Sequence, residues 1–203
     1  MSSTPSKLAW LGGAAFVLGL AATPLHVYGQ QPGYAGGSTY PFGTPATKAD
    51  IAAWNKDVRP DGQGLPPGSG TYDKGKQLYA DQCAVCHGDT LQGIKNPDLP
   101  QGGGPALVGG RGTLNTPHPV TTVESYWPYA TTLYDYIERA MPYTAPSSLK
   151  PDEVYSLVAY ILGEGHIIDK NKVMDAKTLP KVEMPNRHGF FRDNRPYPVK
   201  RYD

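Results

Sequence analysis

The sequence predicts a small all-α domain whose short helices are joined by long loops and flanked by extended arms. Three observations point there. Apolar residues recur at helical spacing in three separate segments, and no alternating apolar–polar run is long enough to suggest a sheet. The 203 residues include 24 glycines and 21 prolines, well above the ordinary usage of about 7% and about 5%, so much of the chain must be loop. A formal net charge of +1 gives no sign of the basic footprint a nucleic-acid partner would require.

The chain divides into four stretches. Residues 1–29 carry a single charge, Lys7, then an uncharged apolar run over 8–22, then small residues at Val27-x-Gly29. That layout is a secretory signal peptide, and its apolar run is shorter than the ~20 residues a spanning helix needs. Export to the bacterial periplasm is expected, with membrane attachment only if the signal stays uncleaved. Residues 30–72 form a Pro/Gly-rich N-terminal arm, residues 73–165 the folded domain, and residues 166–203 a basic, extended C-terminal arm. Charge is uneven along them: 73–165 holds 6 Lys/Arg against 10 Asp/Glu, and 166–203 holds 9 against 5. The basic arm suits either the acidic body of its own chain or an acidic partner.

Within the domain the spacing predicts three helices. The first covers 73–83, with Leu78 and Tyr79 on its inner side and Gly75 where another helix could approach closely. The second covers 132–140, its stripe formed by Leu133, Ile137 and Ala140, with Thr132 and Asp135 at capping-box spacing and Met141-Pro142 ending it. The third covers 151–162. Pro151 suits the first helical position, Asp152 and Glu153 suit the positive end of the dipole, and Gly163 suits the stop. Val154, Leu157, Val158 and Ile161 follow i, i+3, i+4, i+7. More than forty residues of little periodicity separate the first two helices, and a loop of that length needs a structural task.

Cys83-Ala84-Val85-Cys86-His87 supplies the task. Two thiols three positions apart can each add across a haem vinyl group, and the adjoining histidine can ligate the iron beneath the same ring. A structural zinc site needs about four ligands, and the chain has only these two cysteines. One covalently bound haem c is therefore expected, with Cys83 and Cys86 as attachment points and His87 as an axial ligand. In a domain of this size a buried, cross-linked haem also adds core volume. Its walls would be the task of the long loop.

The sixth ligand sets what the iron can do. Met141, Met174 and Met184 are the methionines beyond the signal peptide. Met141, in Arg139-Ala-Met-Pro-Tyr143 before the last helix, stands where small soluble c-type cytochromes supply their thioether. Met184 is also followed by proline and remains an alternative, as do His26, His118, His166 and His188. Histidine–methionine ligation raises the reduction potential and leaves no open coordination site, which favours electron transfer over oxygen or gas chemistry.

Gly104-Pro105-Ala106-Leu107, followed by Gly-Gly-Arg111, resembles the haem-wrapping loop of class I cytochromes c. The resemblance implies that the Pro105 carbonyl accepts the ring N–H of His87, that Arg111 neutralises a propionate, and that Trp127 or Tyr126 donates to the same group. Longer blocks are similar to the cytochrome c subunits of bacterial sulfite and sulfur dehydrogenases of the Sor and Sox type. They include Ala52-Ala-Trp54-Asn-Lys-Asp-Val-Arg-Pro60, Ser125-Tyr-Trp-Pro-Tyr-Ala-Thr-Thr-Leu133, Arg139-Ala-Met-Pro-Tyr-Thr-Ala-Pro146 and Met184-Pro-Asn-Arg187. The similarity runs from about residue 45 to about residue 195; residues 88–100 match no block, and the second haem motif of some members is absent. It implies a single-haem, non-catalytic subunit that takes electrons singly from a molybdopterin sulfite dehydrogenase-like subunit and passes them to a downstream cytochrome or oxidase. The alternatives are service to another periplasmic dehydrogenase, such as a quinoprotein, and a haem enzyme or gas sensor with a labile sixth site.

Overall fold

A computed structural model describes residues 43–191. The expected signal peptide, the first part of the N-terminal arm and residues 192–203 lie outside the described residues. The backbone divides at Pro45, and everything below concerns the unit that begins at Ala46.

Among the described residues this unit contains five α-helices and one two-stranded ribbon, besides two short 3-10 turns: α1 (Lys48–Trp54), β1 (Ser69–Gly70), α2 (Tyr72–Gln82), α3 (Ala84–His87), α4 (Ala130–Ala140), α5 (Pro151–Glu164) and β2 (Met174–Asp175). The all-α class expected from the sequence holds, as do its three helices. No helix among the described residues is long and apolar enough to cross a membrane.

α5 organises the rest. Its stripe predicts one buried face, yet every residue from Val154 to Gly163 is buried. A helix apolar on all sides must be covered on all sides. α2 and α4 pack on it, and so do β1 and β2. α2 crosses α5 at Gly75, where a Cβ would stand 1.9 Å from the Ser156 carbonyl oxygen. Beside the crossing, the Tyr79 and Tyr72 rings lie 5.1 and 5.2 Å from that of Tyr160.

Both ends of the body are tied back onto it. β1 pairs antiparallel with β2, Ser69 opposite Asp175 and Gly70 opposite Met174. Beyond α5 the chain does not stand free: Met174, Leu179, Val182 and Met184 are all buried in the one core. The described part of the C-terminal arm is a strap. At its start Lys170 reaches the Glu164 carboxylate at 2.6 Å and the Tyr72 hydroxyl at 3.0 Å, and that hydroxyl also bonds Glu164.

Two local expectations are corrected. Thr132 and Asp135 form no capping box, because α4 starts earlier, at Ala130. Asp135 instead accepts the Val58 N–H at 3.0 Å and pairs with Arg139, pinning the N-terminal arm to α4. Nor does Gly163 stop α5. The helix continues to Glu164, whose carboxylate has the partners just named, and Gly165 caps it. α1 has no counterpart in the expected helices. It is held by a local capping box between Thr47 and Asp50 and buries no residue.

Candidate haem site

The cysteine-histidine motif folds because α2 ends on it. The Cys83 N–H closes the last turn of α2 on the Tyr79 carbonyl, and α3 then carries Ala84 to His87 as one further turn. Gly88, at φ 80°, reverses the chain there, a conformation that favours glycine. The long loop that follows is braced. Gly93 N–H donates to the His87 carbonyl at 2.7 Å, Gly104 N–H to Cys86 at 2.9 Å, and Leu107 N–H to Leu91 at 2.9 Å.

These elements enclose a cavity of about 630 Å³, within the ordinary range of about 300–1,000 Å³ for cofactor pockets. Tyr79, Leu107, Val123, Leu133, Ile137, Leu157 and Ile161 give it apolar walls. Cys83, Cys86 and His87 line it from α3 and its junction with α2, and Met141 lines it from the end of α4. His87 Nδ1 stands 2.7 Å from the Pro105 carbonyl oxygen. A proton on Nδ1 donated there leaves Nε2 with a free lone pair for a metal. Gly104 makes room for the ring, since a Cβ at that position would come within 2.8 Å of it.

Six of the seven residues named from the sequence thus line one cavity: Cys83, Cys86, His87, Pro105, Trp127 and Met141. Trp127 packs edge-on against Tyr136, with centroids 5.7 Å apart. Arg111 is the exception and is absent from the lining. Its Nε binds the Glu124 carboxylate at 2.5 Å and its NH2 group donates to the Gly165 carbonyl at 2.6 Å. It joins the loop to the end of α5, a task that residue type and spacing did not signal. Tyr126 faces outward against Phe190. Met174 and Met184 are core residues that do not line the cavity, and His118, His166 and His188 are exposed. His26 lies outside the described residues.

The donor set fits a haem. Among the described residues no cluster of three His, Cys, Asp or Glu could hold a bare metal ion. A porphyrin would bring its own four nitrogens and need only the imidazole and thioether that this cavity offers. Burial, together with the nearby Cys86, pushes the free Cys83 thiol up to about 11. Sequence reasoning missed Gln101 and Tyr143, which meet at the cavity mouth. The left-handed backbone at Gln101 that aims its side chain has no sequence signature.

Helices α2, α4 and α5 around an apolar cavity carrying C-x-x-C-H define a class I c-type cytochrome, and the chain belongs to the cytochrome c family, whose model matches residues 72–163. More particularly, it is similar to a chain in the crystal structure of the sulfane dehydrogenase SoxCD from Paracoccus pantotrophus. The identity is 41% and the TM-score 0.68, over 76% of this chain and 73% of that one. It is also 32% identical over 123 residues to the thiosulfate dehydrogenase of Stutzerimonas stutzeri (strain A1501), covering 53% of this chain. The chain matches about a third, 35%, of that relative's length.

Proposed function

We propose that this protein is a single-haem electron carrier of the periplasm. In this reading it serves as the cytochrome subunit of a molybdopterin-dependent sulfur-compound dehydrogenase and is not itself catalytic. The observation that carries the proposal is the pairing of His87 with Met141 on one apolar cavity, in a chain 41% identical over three quarters of its length to part of SoxCD.

Cys83 and Cys86 would hold haem c, and His87 and Met141 would ligate its iron. When bound, the haem supplies reversible one-electron chemistry at a potential raised by the thioether. The protein does the rest. Pro105 fixes the imidazole tautomer, the apolar walls exclude water, and Met141 closes the face that oxygen or peroxide would need. Oxidation of a sulfur substrate at a partner's molybdenum centre would release two electrons, and the one haem held by Cys83, Cys86, His87 and Met141 would supply single-electron chemistry to take them in turn, for delivery to a respiratory cytochrome or oxidase.

The test is reconstitution. Purified oxidised protein is mixed with a molybdopterin-containing sulfur-compound dehydrogenase subunit, and sulfite, thiosulfate or a sulfane-sulfur carrier is added. Reduction of the haem bands only when both subunits and a sulfur substrate are present is the expected result. A pair that stays oxidised with every sulfur substrate, or reduction by a quinoprotein dehydrogenase instead, overturns the assignment. The mass of the exported protein checks the haem count, expected to be one, and reports whether the leader has been removed.

A further inference from the structure

The two loops facing each other across the cavity are anchored very unequally. The Pro105-side loop is braced by its own backbone: Ile94 N–H donates to Gly104, Asn96 to Gly102, and Leu99 to Asn96, at 2.9–3.1 Å. The Met141 side has no such frame. Residues 142–149 make one hydrogen bond among themselves, Ala145 N–H to Pro142. Among the described residues they make one to the rest of the protein, from Gln101 Nε2 to the Tyr143 hydroxyl at 2.5 Å. Both side chains line the cavity, so the bond spans its mouth. Gln101 is held at φ 57°, ψ 16°, a left-handed conformation that non-glycine residues seldom adopt. Such backbone persists where surrounding structure over-determines it, as the framed loop does here.

We infer that Gln101 is a positioning residue: through Tyr143 it supplies the hydrogen bond that holds the 142–149 loop, otherwise fixed to the body by the packing of Leu149 on the core, closed, and so keeps Met141 on the iron and external ligands off it. The inference rests on the reading of Met141 as the sixth ligand. A ligand that needs an open methionine face binds with an affinity scaled by the fraction of molecules in that state. Losing one neutral hydrogen bond enlarges that fraction by roughly two- to tenfold.

The probe is imidazole, titrated into the oxidised, haem-loaded protein and followed by the shift of the main haem band. Gln101→Leu and Tyr143→Phe should each tighten imidazole binding by roughly two- to tenfold. The double variant should bind no more tightly than either single, because both remove the same bond. Gln101→Glu replaces the Nε2 donor with a carboxylate that accepts the Tyr143 O–H, so the bond re-forms with its direction reversed and affinity should return to that of wild type, a rescue that general loosening of the fold would not give. Singles that bind imidazole like wild type, singles whose effects multiply in the double, or a Gln101→Glu variant that behaves like Gln101→Leu would overturn the clasp. Met141→Ala separates the two levels. If it binds imidazole far more tightly while the clasp variants are silent, the clasp alone fails. If Met141→Ala is itself silent, the ligand assignment fails and the clasp with it.

Discussion

Replacing Gly75 with alanine sets two effects of opposite sign against each other at the contact that joins α2 to α5. In an isolated helix the change is favourable by about 0.8–1 kcal/mol, because glycine is a poor helix former. In this protein the added methyl would meet the Ser156 carbonyl oxygen at 1.9 Å, its carbon at 2.5 Å and the Tyr160 Cβ at 2.8 Å. The first two are backbone atoms of a fully buried helix, so no side-chain rotation relieves them. Reaching ordinary contact near 3.4 Å requires the helices to part by about 1.5 Å at the crossing, which also loosens the neighbouring tyrosines. Overpacking of this kind costs about 1–3 kcal/mol, and the absence of a flexible partner places it near about 3. Net destabilisation is then about 2 kcal/mol, or a melting temperature lower by about 4–8 °C for a body of this size. The assay is thermal and guanidinium unfolding of the haem-loaded protein by circular dichroism. Lys76→Ala, on the exposed side of the same helix, should stay within about 0.5 kcal/mol of wild type. A Gly75→Ala protein as stable as wild type, or more so, would refute the close crossing.

The two proline-preceding methionines should separate cleanly. Met141→Ala should abolish the spectral signature of sulfur ligation and let the reduced protein bind carbon monoxide. Met184→Ala should leave the spectrum unchanged and cost about 2–5 kcal/mol on chemical unfolding, since Met184 is only 2% exposed; the opposite pattern would exchange their roles. Glu164 should give the fold an acid-sensitive tie. Burial pulls its carboxyl upward, but the hydrogen bonds from Lys170 and Tyr72 outweigh that and leave it below its ordinary value. A depressed carboxyl stabilises the fold above the unfolded value of about 4.3 and loses that contribution as pH falls through the lower, folded value. Glu164→Gln should therefore flatten the fall in melting temperature below about pH 5. An acid limb as steep as that of wild type would remove Glu164 from the account.

What the sequence made legible was chemistry carried by neighbouring residues. Cys83, Cys86 and His87 are contiguous, so their meeting on one cavity needed no tertiary knowledge. Met141 was readable because a methionine-proline pair ends a helix whose stripe is clear. The close approach at Gly75 was readable because glycine in a helix interior demands a reason. Illegible features were those decided at long range. Asp135 has the spacing of a cap, but Val58, 77 residues away, claims it. Arg111 has the setting of a propionate ligand, yet a buried glutamate and a helix-end carbonyl take its guanidinium. The strap buries Met174, Leu179, Val182 and Met184 at intervals that fit neither the helical nor the strand period, so no pattern marks it as core. α1 is short and exposed, and its only signal is a capping box with no apolar stripe behind it.

The strap also separates two meanings of a domain boundary. Family likeness runs over residues 72–163, but the interior is finished by side chains arriving ten to twenty positions later. A fragment trimmed to the likeness would leave a raw apolar trough along α5, and both strands of the ribbon, β1 before it and β2 after it, would go with the discarded pieces. During biosynthesis the same dependence means that the helices wait on residues 174–184 before they can seal. Any recombinant version designed to carry the haem should therefore run at least through Met184.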